Sequence, residues 1–212
     1  MTTGEIETAL AIVTAEPDPA ARALLLAGLV SRLFREAGFD PVIVGGSAIE
    51  FYTDGAYMSG DIDVCWRGPR LPTPADQAMI VRRLHADSGG ARTCRIAGLF
   101  VDLLTSVESY ARTAFPQLAT PLGMVTLLPM EDLLVERVFI ARCWTGPNAE
   151  AEDCARKLLA VALNGGVVPV DWEEAERIAS LPAYQCREEF LKLKAEVAAT
   201  AAPDPTPGFP NL

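Results

Sequence analysis

The sequence predicts an α+β fold, in which a small mixed β-sheet with flanking helices is followed by a helical region. Between residues 41 and 66, an apolar run, a glycine turn, a short helical segment and an alternating run follow one another, a pattern typical of strand, helix and strand. Residues 93–105 predict two more strands around Ala97-Gly98, which suits a two-residue hairpin. From Leu128 onward, the apolar residues recur only at helical spacing.

The composition is that of a folded chain with ample apolar residues for a core. Its 212 residues are 50% hydrophobic and 22% charged, which is consistent with one large domain or with a small domain joined to a helical one. The net charge of −10 argues against extended nucleic-acid binding, which needs clustered lysine and arginine. No apolar run approaches the roughly 18 residues that span a bilayer, and no basic secretory signal begins the chain.

The cysteines predict a reducing compartment. The chain has five of them, an odd number, and none forms a Cys-X-X-Cys pair: Cys65, Cys94, Cys143, Cys154 and Cys186. Such scattered residues favour free thiols in a cytoplasmic protein over a disulfide framework or a zinc site.

Two helices are expected before the first strand. Apolar residues recur at helical spacing over residues 3–15. Asp18-Pro19 then supplies an N-cap and a first helical residue for an apolar helix over residues 20–37. The first strand, residues 42–44, stops at a glycine turn, and a short helix covers residues 48–52.

The rest of the chain alternates strands and helices and then becomes helical. After the second strand, at residues 61–66, the patterns predict in order a helix at 74–87, strands at 93–96 and 99–105, a short helix at 106–113, a strand at 124–127, and helices at 129–144, 149–163, 171–180 and 182–198. We therefore expect a core with N-terminal helices over residues 1–127 and a helical region over 128–199. The proline-rich residues 200–212 are expected to be a disordered tail.

Three aspartates are candidate metal ligands. Asp61 and Asp63 lie two residues apart in a predicted strand, so both carboxylates face the same side of the sheet. Carboxylates that close repel each other unless protons or a cation lie between them. Asp102 lies in the apolar run 99–104, where a buried carboxylate is costly without a partner or a metal. A hard divalent cation, above all Mg²⁺, suits such oxygen ligands.

The glycine turn next to them is a candidate phosphate-binding site. Gly45 and Gly46 leave backbone N–H groups uncovered at the start of the short helix, where both the amides and the helix dipole favour an anion. Ser47 can cap the helix or donate its hydroxyl to a phosphate oxygen. A phosphate site beside a metal-binding carboxylate pair indicates metal-assisted phosphoryl or nucleotidyl transfer.

These residues together resemble the signature of the nucleotidyltransferase superfamily, which has a polymerase-β-like fold. Gly45-Gly46-Ser47 is followed, after thirteen residues, by Asp61-Ile62-Asp63-Val64, and within the superfamily the chain looks nearest to minimal nucleotidyltransferases and abortive-infection toxin relatives. The resemblance implies that Asp102 is the third carboxylate and that the three aspartates hold two Mg²⁺ ions, or Mn²⁺ in their place. It implies transfer of an NMP group from an NTP, with ATP as the expected donor, to an acceptor hydroxyl on a small molecule, a protein or an RNA end. It also implies a toxin of a toxin–antitoxin pair, with a cognate antitoxin as partner.

The resemblance extends with less specificity into the helical region and has one departure. Arg137 and Arg142 are candidates to reach the triphosphate, although both also suit a solvated helix surface. Relatives often carry a basic residue four positions before the first aspartate of the pair, where this chain has Tyr57. Two alternatives therefore stay open: a catalytically degenerate nucleotide- or partner-binding protein on the same fold, and a helical interaction protein whose aspartates are surface residues.

Overall fold

The computed structural model describes residues 1–89, 92–146, 148–166 and 168–201. Within these ranges the chain forms, in order, α1 (Thr3–Ala15), α2 (Pro19–Glu36), β1 (Asp40–Val44), α3 (Gly45–Tyr52), β2 (Asp61–Arg67), α4 (Pro74–Arg83), β3 (Ser88–Gly89), β4 (Thr93–Ile96), β5 (Leu99–Ser106), β6 (Gln117–Thr120), β7 (Gly123–Thr126), α5 (Met130–Arg142), α6 (Ala149–Leu163), α7 (Trp172–Ala179) and α8 (Arg187–Ala201).

The main sheet is mixed, and its inner strands β2 and β5 lie side by side. Its strand order is β1-β2-β5-β4-β3; β2 and β5 are parallel, and the other neighbours are antiparallel. The strands β6 and β7 form a separate two-stranded sheet. The hairpin of β4 and β5 turns at Ala97-Gly98, as the sequence predicts, and the other edge of β5 pairs with β2. The predicted α+β class with a small mixed sheet is confirmed.

The helix α2 supplies much of the core against the sheet. Its apolar face is fully buried and consists of Leu26, Leu29, Val30, Leu33 and Phe34. The ring of Phe34 lies 4.6 Å from that of Trp66 on β2, centroid to centroid. The Trp66 indole N–H donates to the Leu104 carbonyl oxygen at 2.9 Å, so its burial leaves no polar atom without a partner.

The helical region packs around α5. Leu133, Leu134 and Val138 of α5 are fully buried, and α6, α7 and α8 all contact this helix. Leu128, just before α5, makes two hydrogen bonds to the first part of the chain. Its N–H donates to the oxygen of Ile43 on β1, and its carbonyl oxygen accepts from the hydroxyl of Tyr52 on α3, both at 2.9 Å. The division into regions 1–127 and 128–199 stays a prediction.

The predicted helix at residues 106–113 is wrong, and the segment after β5 is irregular. The N–H groups of Tyr110 and Ala111 donate to Asp132 Oδ1 at 2.9 and 3.2 Å, and the N–H of Arg112 donates to Glu174 Oε1 at 2.6 Å. Carboxylates from α5 and α7 therefore take the donors that a helix would pair with its own carbonyl groups.

Three smaller differences concern where elements begin and end. The helix α4 ends at Arg83 rather than at 87, and His85 shortly beyond it has a φ of 53°. The strand β6 lies in a segment that the sequence had predicted as a loop. Of the predicted tail, residues 200 and 201 continue α8, and the remainder lies outside the described residues.

The cysteines, all of which lie within the described residues, form no disulfide bond. All five cysteines are free thiols, and Cys143 alone among them is exposed. Among the described helices, none combines the length and the apolar character needed to cross a membrane.

Candidate active site

Three aspartates converge on the adjacent parallel strands β2 and β5. Asp63 is paired in register with Asp102, and one carboxylate oxygen from each of Asp61, Asp63 and Asp102 lies within 4.8 Å of the other two. Strand alternation produces this arrangement, because it turns Ile62 and Val64 into the core. We call these three residues the acidic cluster. Their convergence follows the expectation from sequence, and their catalytic role stays a prediction.

The electrostatics of the acidic cluster favour a bound cation. Burial, together with the negative charges of Asp61 and Asp102, raises the pKa of Asp63 to about 6. Asp102 Oδ1 is buried and has no hydrogen-bond partner among the described residues, a state that costs free energy in a folded protein. The donor atoms are all carboxylate oxygens, which Mg²⁺ and Mn²⁺ prefer. The residues therefore fit a divalent cation.

The turn between β1 and α3 lies directly against the acidic cluster. Val44, the last residue of β1, is paired with Asp63, and Gly45 then adopts a φ of +60°. A Cβ atom on Gly45 would lie 2.5 Å from Asp63 Oδ2, and one on Gly46 would lie 2.7 Å from Ser59 Oγ. Because only glycine permits this approach, the pair brings the N-terminus of α3, with its partial positive charge, to the carboxylates.

Ser47 connects this turn to β2. Its side chain is fully buried; its hydroxyl donates to the Val44 oxygen and accepts from the Asp63 N–H, both at 3.1 Å. The hydroxyl thus holds the backbone of Asp63 in place. The predicted contact between Ser47 and a phosphate stays a prediction.

The two candidate arginines of α5 have different surroundings. Burial and the charges of the other two aspartates raise the pKa of Asp63, and the charge of Arg137 acts to lower it. Its ion pair in the described part of the chain is with the adjacent Glu136, at 3.3 Å, and its Nε atom is buried without a partner there.

Arg142 is instead held in an ion-pair group. Its guanidinium contacts Glu152 of α6 at 3.1 Å, Glu189 of α8 at 3.3 Å and Glu196 of α8 at 2.9 Å. The side chain is 13% exposed. Sequence reasoning placed both arginines on the phosphate side, but two of the three carboxylates that engage Arg142 come from α8, 47 and 54 residues away in the chain. Its contact with nucleotide stays a prediction.

Sequence reasoning missed one residue beside the site. Glu50 of α3 is 2% exposed and accepts the N–H of Ser59 on Oε2 at 2.8 Å. Ser59 in turn donates its hydroxyl to Asp61 Oδ1 at 3.2 Å. The sequence does contain a signal for Glu50, because it is an acidic residue within the apolar helical run 48–52. As for Asp102, a carboxylate buried in such a run is costly without a partner. The ring of Tyr57 closes the same side, with Cε1 3.5 Å from a Cβ position on Gly46.

Comparison with known proteins finds likeness in structure only. No family model matches the sequence, and no curated protein matches it. An antigenic nucleotidyltransferase-like protein from Paracoccidioides brasiliensis is 14% identical with a TM-score of 0.51, over 80% of this chain and 90% of that one. The antibiotic-resistance factor ANT(2'')-Ia in solution is 16% identical with a TM-score of 0.43, over 81% and 88%. The same factor in complex with adenylyl-2''-tobramycin is 15% identical with a TM-score of 0.40, over 85% and 99%.

The first of these likenesses shows the class of fold. The chain has the fold of a nucleotidyltransferase-like protein, so the resemblance to the nucleotidyltransferase superfamily is confirmed at the level of the fold. The nearer likeness to minimal nucleotidyltransferases and toxin relatives stays a prediction.

Proposed function

We propose that this chain is a metal-dependent nucleotidyltransferase, which moves an NMP group from an NTP to an acceptor hydroxyl with release of pyrophosphate. One observation carries the proposal: three carboxylates lie within 4.8 Å of one another, directly beside the glycine turn at the start of α3. Carboxylates converge at such distances at a cost in free energy that a cation offsets. The fold class agrees with this chemistry.

Asp61, Asp63 and Asp102 are the residues that would hold the metal, proposed as two Mg²⁺ ions with Mn²⁺ as a substitute. When bound, divalent cations neutralise phosphate charge and make the acceptor hydroxyl easier to deprotonate. Asp102 Oδ1, which is buried and accepts no hydrogen bond from the part of the chain that the structure describes, supports this assignment. It also makes Asp102 the candidate to accept the hydroxyl proton.

The chain's other residues would bind and orient the triphosphate of the donor, expected to be ATP. Gly45 and Gly46 are the first residues of α3, and the turn lies against Asp63, so their backbone N–H groups and the positive end of the helix dipole are the proposed phosphate-binding elements. Arg137, whose buried Nε has no hydrogen-bond partner among the described residues, supplies a positive charge from α5. Arg142, engaged by three glutamates, is assigned to holding α5, α6 and α8 together.

Incubation with labelled NTPs, Mg²⁺ and candidate acceptors tests the reaction. We expect Mg²⁺-dependent release of labelled pyrophosphate from the γ-labelled donor and retention of the α-label on an acceptor. Small molecules, proteins and RNA ends are the acceptor classes to supply, and the charge of −10 disfavours long nucleic acids as acceptors. Mg²⁺-dependent nucleotide binding without any product would instead favour a degenerate binding protein on this fold.

The biological role that we propose comes from the sequence resemblance alone. It is that of a cytoplasmic toxin of a toxin–antitoxin pair, inhibited by a cognate antitoxin. Expression of the chain with and without its neighbouring gene measures this role. Growth arrest relieved by the neighbour supports it, and unimpaired growth with active enzyme argues against it.

A further inference from the structure

The loop between α3 and β2, residues 53–60, brings a hydroxyl to the acidic cluster. Ser59 Oγ donates to Asp61 Oδ1 at 3.2 Å. The same atom would lie 2.7 Å from a Cβ on Gly46, so Ser59 lies between the glycine turn and the most open of the three aspartates. The hydrogen bond from Ser59 fixes Oδ1 of Asp61. Because the carboxylate is planar, the same bond also limits the positions that Oδ2 can take.

Ser59 is itself held by a buried carboxylate. The Ser59 N–H donates to Glu50 Oε2 at 2.8 Å, and the Glu50 side chain is 2% exposed. Among the described residues, Glu50 has no salt-bridge partner. A carboxylate buried without a counter-charge is costly, and burial raises the pKa of Glu50 accordingly, although the Ser59 N–H acts to lower it.

The first half of the loop does not depend on the Glu50 side chain. The N–H of Gly55 donates to the backbone oxygen of Glu50 at 3.0 Å, and the N–H of Tyr57 donates to Thr53 Oγ1 at 3.2 Å. Loss of the Glu50 carboxylate should therefore loosen the Ser59 end of the loop while its start remains attached to α3.

We infer that Glu50 is a positioning residue of the proposed active site: it holds Ser59, and Ser59 orients Asp61 toward Asp63 and Asp102. This inference rests on the proposed function, because it concerns the affinity of the same acidic cluster for a divalent cation. Glu50 is not one of the three carboxylates of the acidic cluster, and its carboxylate accepts from the Ser59 N–H. Residues that orient metal ligands typically change metal affinity by 10–100-fold when they are lost.

The test measures binding of Mn²⁺ to the full chain without nucleotide, from the electron paramagnetic resonance signal of the free ion. We expect Glu50→Gln and Ser59→Ala each to weaken Mn²⁺ binding about 10-fold. The double variant should lose no more than the weaker-binding single variant, because both changes remove the same linkage. Glu50→Asp, which keeps the charge but shortens the side chain, should weaken binding as well.

Glu131→Gln is the matched control. Glu131 is another helical glutamate, 4% exposed; it accepts the Asp171 N–H at 2.9 Å and the Thr113 hydroxyl at 3.2 Å, and in the described part of the chain neither partner bonds to an aspartate of the acidic cluster. Thermal unfolding of every variant is followed in parallel. We expect Glu131→Gln to lower the melting temperature at least as much as Glu50→Gln and to leave Mn²⁺ affinity within about twofold of wild type.

Two results would overturn the inference, and a third would remove its foundation. Wild-type affinity in both Glu50→Gln and Glu50→Asp would exclude a positioning role. A Glu50→Gln loss that persists in full in the Ser59→Ala background would show that the charge acts at a distance, without Ser59. If the double variant Asp61→Ala, Asp63→Ala binds Mn²⁺ as wild type does, the proposed function fails. If this double variant loses Mn²⁺ binding while Glu50→Gln and Glu50→Asp keep wild-type affinity, only the inference about Glu50 fails.

Discussion

Asp102→Asn is expected to reduce nucleotidyl transfer by about 10²–10⁴-fold while the protein stays folded. The oxygen Asp102 Oδ1 is buried with no partner in the described part of the chain, so no hydrogen bond of the fold is lost with it. Asparagine has nearly the same shape but lacks the charge that holds a cation and the basicity that accepts a proton. It also relieves repulsion on Asp63, whose pKa is raised to about 6 by burial and by the charges of Asp61 and Asp102.

The measurement is the initial rate of pyrophosphate release at saturating Mg²⁺-NTP, with a thermal unfolding curve for each protein. Asp40→Asn is the matched control, because Asp40 lies on β1 of the same sheet and makes an exposed ion pair with Arg67 at 2.7 Å. An exposed pair contributes about 1 kcal/mol or less, so its loss should leave the rate unchanged. Asp102→Asn activity within tenfold of wild type would contradict the assigned role.

Asp132→Ala is expected to have the largest effect on stability, about 3 kcal/mol or more. Asp132 is 3% exposed and accepts the Ser109 hydroxyl at 2.6 Å and the N–H groups of Tyr110 and Ala111 at 2.9 and 3.2 Å. Alanine would leave these donors without an acceptor. It would also create a cavity at the start of α5. The segment after β5 would lose its attachment to the helical region.

Urea-induced unfolding measures this loss. Asp153→Ala is the control, because Asp153 is 65% exposed and pairs with Lys157 within α6; its removal should cost no more than about 0.5 kcal/mol. Asp132→Asn keeps one acceptor oxygen and should fall between wild type and alanine. An alanine variant as stable as the Asp153 control would show that the three hydrogen bonds contribute little.

Local sequence patterns predicted two of the three aspartates of the acidic cluster, and the family resemblance supplied the third, Asp102. Strand alternation places Asp61 and Asp63 on one side, and the short hairpin at Ala97-Gly98 pairs β5 with β4. The glycine turn was visible because the residues that it requires are contiguous. Each of these inferences depends on residues close together in the chain.

What the sequence did not reveal depends on partners far apart in the chain. The segment 106–113 has helical spacing, but its N–H groups are taken by Asp132 and Glu174, which no local pattern can anticipate. The resemblance made Arg142 a candidate to reach the triphosphate, yet two of its three partners lie 47 and 54 residues away on α8. The role inferred for Glu50 depends on a loop that returns over α3 to reach it.

Binding of ATP in the presence and absence of Mg²⁺, by wild type and by the double variant Asp61→Ala, Asp63→Ala, tests the central claim most directly. Calorimetric titration gives the affinity, and circular dichroism checks the fold. If the three aspartates hold a cation beside the α3 turn, wild type binds ATP only when Mg²⁺ is present. The double variant, although folded, does not bind ATP. Equal, Mg²⁺-dependent affinity in the two proteins would contradict the account.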